Sequence, residues 1–179
     1  MRMCWIAMAA LVATPLAAQD ETERDYEAEV EEFCNAIGKA PPLPGVEDPA
    51  LTVRNLYPDP PALADGELPL TPRLKHLFES DDRRVCELDT PIGRLDFDWV
   101  VNGQDFLITD VSVETVETYA GLEDEPERVV VIARFKNFDT PNELRYYWEK
   151  AEDGWRLDDV ASVSDEFPWT LSLLLKYGL

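Results

Sequence analysis

Histidine is nearly absent: His76 is the only one in 179 residues. Without a second imidazole, a histidine-rich zinc centre is excluded, and a cysteine or serine nucleophile has one residue from which to draw its base. His76 lies between Lys75 and Leu77, off the Leu74, Leu77 and Phe78 stripe of a short helix, where an ordinary surface side chain is expected. Bases are scarce as well. Lys and Arg number 16 against 37 Asp and Glu, a formal charge of −21. Such a chain repels nucleic-acid phosphates and anionic lipid. Its acids are spread rather than blocked, which points to solubility more than to steering of a basic partner. There is also no glycine-rich phosphate loop, no G-x-S-x-G elbow and no zinc motif, so the sequence implies neither cofactor nor metal.

Only three cysteines are present, and Cys4 falls in the opening stretch MRMCWIAMAALVATPLAAQD. One base (Arg2), an apolar run over 3–16 and small residues at 17–18 have the layout of a secretory signal peptide, residues 1–18, cleaved after Ala18. The run is shorter than the roughly 20 residues of a spanning helix, so no membrane contact is expected after cleavage, and a periplasmic location follows. The two remaining cysteines, Cys34 and Cys86, are then expected to form a disulfide. It would close a loop of roughly 50 residues, worth on the order of 4 kcal/mol in the chain-entropy model.

Residues 20–38, DETERDYEAEVEEFCNAIG, read as an acidic amphipathic helix with Tyr26, Val30, Phe33, Cys34 and Ile37 on a narrow stripe and Gly38 as its stop. That stripe is expected to dock rather than stand alone. A proline-rich linker follows, so residues 19–47 form an extension ahead of one domain, 48–179. Asp48-Pro49 and Thr71-Pro72 are cap-plus-proline starts. The first opens a helix presenting Leu51, Leu56 and Tyr57; the second opens a helix to about Ser80. From residue 95 the period changes to two. Residues 106–118, 127–138, 142–150 and 155–160 alternate as strands, with Asp153-Gly154 as the reversing pair of the last hairpin. Pro168 and Gly178 bracket a short C-terminal helix. Helices first and antiparallel strands after them indicate α+β, most economically a strongly curved sheet with helices packed in its concave face.

The stretch LDFDWVVNGQDF, 95–106, gathers the polar residues that invite a site reading. Asp96, Asp98, Asn102, Gln104 and Asp105 are possible oxygen ligands, but Val100 breaks the calcium-loop spacing. The alternation of Leu95, Phe97, Trp99 and Val101 with the acids, followed by Asn102-Gly103, reads instead as a two-residue hairpin that sets Trp99 opposite Phe106. Asp158 and Asp159, adjacent on a strand, are expected on opposite faces, paired with Arg134 or Arg145.

TVRNLYP, LTPRLKHLFESDD, LDFDWVVNGQDF and YYWEKAEDGWRLDDV stand in the order seen in a family of bacterial envelope proteins, domain of unknown function 3828, grouped with the nuclear-transport-factor-2-like superfamily. Over about residues 48–163 the chain resembles that family. The resemblance implies a cone-shaped α+β fold with a pocket between sheet and helices. It supplies no reaction, since the superfamily holds isomerases, dehydratases, small-ligand binders and protein-binding modules. The family usually carries proline where Trp99 stands and accepts alanine where Gly103 stands. If alanine fits there, no strict left-handed turn is needed, and an ordered loop in which Asp98 and Asp105 cap backbone amides is the alternative to the hairpin.

The expected function is a binding module for a small ligand or a protein, without catalysis. Asp98, Gln104, Asp105, Tyr146, Trp155 and Asp159 are its pocket or motif residues. The alternative is an isomerase, dehydratase or hydrolase using Asp98, Asp105 or Asp159 with Tyr146 as proton donor; it requires an aspartate and a tyrosine to converge in an open cavity. An intact-mass measurement on protein exported from the full sequence tests the envelope reading. The mature chain should begin at Gln19, and Cys34 and Cys86 should take up alkylating agent only after reduction. Labelling of both thiols without reductant would remove the bridge.

Overall fold

The computed structural model describes residues 28–57, 68–88, 90, 93–121, 125–164 and 167–178. The expected signal peptide and Tyr26 lie outside these. The chain forms two units, 1–36 and 37–179, each taken by itself. In the first, α1 (28–36) is an acidic helix whose Val30 and Phe33 are exposed rather than covered. Gly38, with φ +76°, follows two residues after the helix ends, the left-handed stop that the sequence predicts. Cys34 and Cys86 are both disulfide-bonded.

The second unit is α+β. Helix α2 (Pro49–Asn55) begins as expected: Asp48 caps it by accepting the Leu51 amide at 3.0 Å, and Pro49 fills the first helical position, where no amide is needed. It turns Val53 inward and leaves Leu51 outside, against the expectation for Leu51. Helix α3 (Pro72–Leu88) starts where Thr71 Oγ1 accepts the Leu74 amide at 3.2 Å. It runs eight residues past the expected stop at Ser80. The acidic and basic residues after Ser80 carry no apolar stripe, but Asp81 is buried and accepts from the Arg94 amide at 2.8 Å and from Arg84 at 3.2 Å. The bond from Arg94 gives the polar extension a tertiary anchor.

Five antiparallel strands follow in sequence order across the sheet: β1 (Ile108–Tyr119), β2 (Arg128–Asn137), β3 (Thr140–Ala151), β4 (Gly154–Ser162) and the two-residue β5 (Trp169–Thr170). The alternation predicted this sheet. One face carries Val129, Val131, Ala133 and Phe135 of β2, Leu144, Tyr146 and Trp148 of β3, and Leu157 and Val160 of β4. On it pack Val53, Leu56 and Tyr57, Leu74, and Leu171, Leu174 and Leu175 of α4 (Leu171–Tyr177). Irregularities in β1 and β4 bend the sheet. Two details differ from the sequence reading. Pro168 precedes β5 instead of opening the C-terminal helix, and the β3–β4 turn reverses at Glu152-Asp153, with Gly154 already paired to Ala151. Among the described residues, no helix is long and apolar enough to cross a membrane.

The far edge of β4 is covered by three short pieces of chain. Val46 exchanges two backbone bonds with Trp155, Leu157 bonds Pro69 and Thr71, and β5 pairs with Ala161 and Ser162. At the first of these, Gly45 and Gly154 meet backbone to backbone: a Cβ on Gly154 would stand 2.6 Å from the Gly45 carbonyl carbon, and Gly154 has φ +135°. Gly154→Ala should therefore cost about 3 kcal/mol in a urea unfolding experiment, from overpacking and an unfavourable backbone together. A cost under about 1 kcal/mol would mean that the two backbones part easily.

Candidate functional site

The stretch 95–106 is a closed loop and not the two-residue hairpin. Asp98 and Gly103 exchange both backbone bonds, at 3.0 and 3.2 Å, around the four residues 99–102. Inside the loop Asp98 Oδ1 accepts the Val100 amide at 2.7 Å, so this aspartate caps backbone, as the alternative reading has it. Asn102 takes the left-handed conformation, φ +52°, a role the hairpin reading shared between Asn102 and Gly103. Its amide also has two distant partners: Nδ2 donates to Asn142 Oδ1 and Oδ1 accepts from Trp169 Nε1, both at 2.8 Å. Asn137 completes the attachment, donating to the Val101 and Asp105 carbonyls and accepting the Leu107 amide. Nothing local in the sequence marks Asn137, Asn142 or Trp169 as partners of this loop, since each lies more than 30 positions away.

Two buried phenols hold the loop from beneath. Tyr57 Oη donates to the Val100 carbonyl at 2.9 Å and shares a 2.8 Å hydrogen bond with Tyr146 Oη. Burial raises the Tyr57 phenol well above its ordinary range, and Tyr146 and the charge of Asp98 push the same way. Burial raises Tyr146 too; the hydrogen bond it shares with Tyr57 offsets part of this and Asp98 adds to it. Tyr146 is wholly enclosed, with the Trp99 ring 6.4 Å from its own and Trp148 equally enclosed on the same strand. Enclosed by its neighbours and bonded to Tyr57, it is held as a neutral hydroxyl.

The other predicted site residues are dispersed. Gln104 and Asp105 are exposed; Gln104 donates to the Asp96 carbonyl at 3.1 Å. Trp155 lies on β4 under Lys150, whose Nζ is 4.9 Å from the ring centroid. Asp159 accepts the Ser172 amide and hydroxyl at 3.0 and 2.5 Å, at the start of α4, where Thr170 makes no side-chain cap. Asp158 and Asp159 do not point to opposite faces. A bulge in β4 opposite Tyr147 turns both towards Arg73, at 2.9 and 3.4 Å. The expected partners are engaged elsewhere: Arg134 and Arg145 both pair with Glu143. Among the described residues, no group of three or more His, Cys, Asp and Glu could hold a metal.

What the fold does build is an apolar pocket of about 360 Å³ that the sequence did not single out. Ala40, Pro41, Pro42 and Leu43 form one wall, Leu68 and Leu70 a second, Lys75 and Phe78 of α3 a third, and Trp99 of the closed loop its inner end. Volume and lining are those of small-ligand sites: mostly apolar and aromatic walls with few polar groups. Among the described residues Lys75 is the single charged side chain in the lining; its Nζ donates to Glu79 at 2.9 Å and to the Ala40 carbonyl at 3.2 Å. Of the sequence candidates none lines this pocket, although the loop that Asp98 and Gln104 help to shape supplies Trp99.

No protein-family model matches this chain, and no curated protein is similar to it in sequence. Among solved structures it is similar to a phospholipid-binding protein from Ralstonia solanacearum, solved in complex with a phospholipid. Identity is 16%, over 92% of this chain and 84% of that one, with a TM-score of 0.30. At that score the likeness carries neither fold nor ligand across.

The tyrosine pair has a measurable signature. Tyr57 and Tyr146 should stay protonated in a spectrophotometric titration well past pH 10, where a free phenol ionises. Because their folded pKa values lie above the unfolded value, their contribution to stability is complete below about pH 10 and falls as pH rises beyond it. Ionisation of all six phenols before unfolding would show that the pair is open to solvent.

Proposed function

We propose that this chain is a secreted, periplasmic binding domain of the nuclear-transport-factor-2-like kind, that it belongs with domain of unknown function 3828, and that it binds a small apolar ligand without transforming it. The leader-like opening and the oxidised state of Cys34 and Cys86 support the location. The curved antiparallel sheet with helices on one face, and the order of the four quoted motifs, support the fold kind and the family.

The observation that carries the binding reading is the pocket ended by Trp99. The walls are leucine, proline and aromatic carbon, which gain by excluding water and offer little to stabilise a developing charge. The carboxylates that an enzyme would use are committed elsewhere: Asp98 to the Val100 amide, Asp159 to the start of α4. Tyr146, the matching proton donor, is closed off and bonded to Tyr57.

An uncharged environment-sensitive dye such as phenylnaphthylamine provides the test. Its fluorescence should rise on adding the protein, and Ala40→Trp, which fills the pocket from an exposed position, should remove at least nine-tenths of that rise while leaving the unfolding midpoint within a few degrees. Undiminished dye binding by the Ala40→Trp protein, or none by the wild type, would overturn the pocket as the site.

A further inference from the structure

The polar side of this pocket is asymmetric in charge. Lys75 Nζ has three N–H donors and spends two of them, on the Ala40 carbonyl and on Glu79 Oε1. The other oxygen of Glu79 accepts from Arg83 Nη2 at 3.2 Å. One carboxylate is thus shared between two cations, and Lys75, the cation in the lining, is only partly neutralised. Asp81 and Asp82, the next acids along α3, lie outside the lining. In a chain with more than twice as many acids as bases, this is a place where an anion gains locally from the field.

Resting on the pocket reading above, we propose that the ligand is an amphiphilic monocarboxylate: an apolar tail seated against Leu70, Phe78 and Trp99, and one carboxylate taking the third donor of Lys75. The apolar walls select the tail, since they offer no partner for a polar body. The head is an anion because a cation at the same place would meet Lys75, whose charge Glu79 already divides with Arg83. It is singly charged because the surplus is one charge in an otherwise acidic molecule; a larger anionic head would face the surrounding carboxylates.

The test uses three probes with the same tail, octanoate, octanol and octylamine, titrated calorimetrically into the mature protein at neutral pH. Octanoate should bind about tenfold more tightly than octanol, the size of a charge-assisted hydrogen bond, and octylamine more weakly than either. Lys75→Met should bring the affinity for octanoate down to that for octanol. Glu79→Gln, which removes the negative charge facing Lys75, should strengthen octanoate severalfold; this second variant keeps the answer readable if Lys75→Met is unstable. Octanol binding as well as octanoate, or an octanoate preference that survives Lys75→Met, overturns the carboxylate while the pocket stands. Failure of all three probes to bind the wild type overturns the pocket reading and the carboxylate with it.

Discussion

One extra residue in β4 decides how the helices meet the sheet. The bulge opposite Tyr147 keeps Leu157 and Val160, three positions apart, on the same apolar face, and it brings Asp158 and Asp159 out together. Asp158 then accepts from Thr71 Oγ1 at 2.8 Å and from Arg73 at the start of α3, and Asp159 holds the Ser172 amide at the start of α4. Both helices are thereby fixed by their first turns to one point on one strand. Negative charge at those ends is also where the helix dipole favours it. With α3 so placed, Phe78 and Lys75 face the proline-rich segment, and the pocket between them is a consequence of that anchoring.

Much of the fold was legible because its signals are local. Alternation in β3 identifies a strand that buries Leu144, Tyr146 and Trp148, β2 is an apolar run buried continuously over 129–133, and Asp48-Pro49 announces a helix start within two positions. What failed to be read depends on partners far away in sequence. Alternation cannot report a bulge, and by alternation alone Asp158 and Asp159 fall on opposite faces. Asn102-Gly103 resembles a hairpin turn locally, but the amide bonds of Asn102 to Asn142 and Trp169 outweigh the tight turn and open the loop to four residues. The polar end of α3 has no periodic apolar stripe, and only the buried Asp81 reveals why it continues.

The candidate site shows the same division more sharply. Aspartates, tyrosine and glutamine draw attention in a sequence because their chemistry is versatile, yet inside this fold that versatility is consumed in satisfying backbone groups, which would otherwise be left unpaired at a high cost. The pocket is assembled from Ala40, Pro42, Leu43, Leu70 and Phe78, residues that any core or linker contains. Of the stretch 95–106 only Trp99 reaches it, from a position where the resembled family usually has proline.

β1 forms the other margin of the sheet, twelve residues long and mostly exposed. Its ladder with β2 breaks register at two places, between Thr109 and Ser112 and between Thr115 and Glu117, and Asp110 stands in the left-handed region. A neighbouring strand cannot lie flush along such an edge for more than a few residues, and Glu114 and Glu117 would set like charges against a copy of themselves. The irregularities that curve the sheet thus also guard against edge-to-edge stacking of one molecule's β1 on another's.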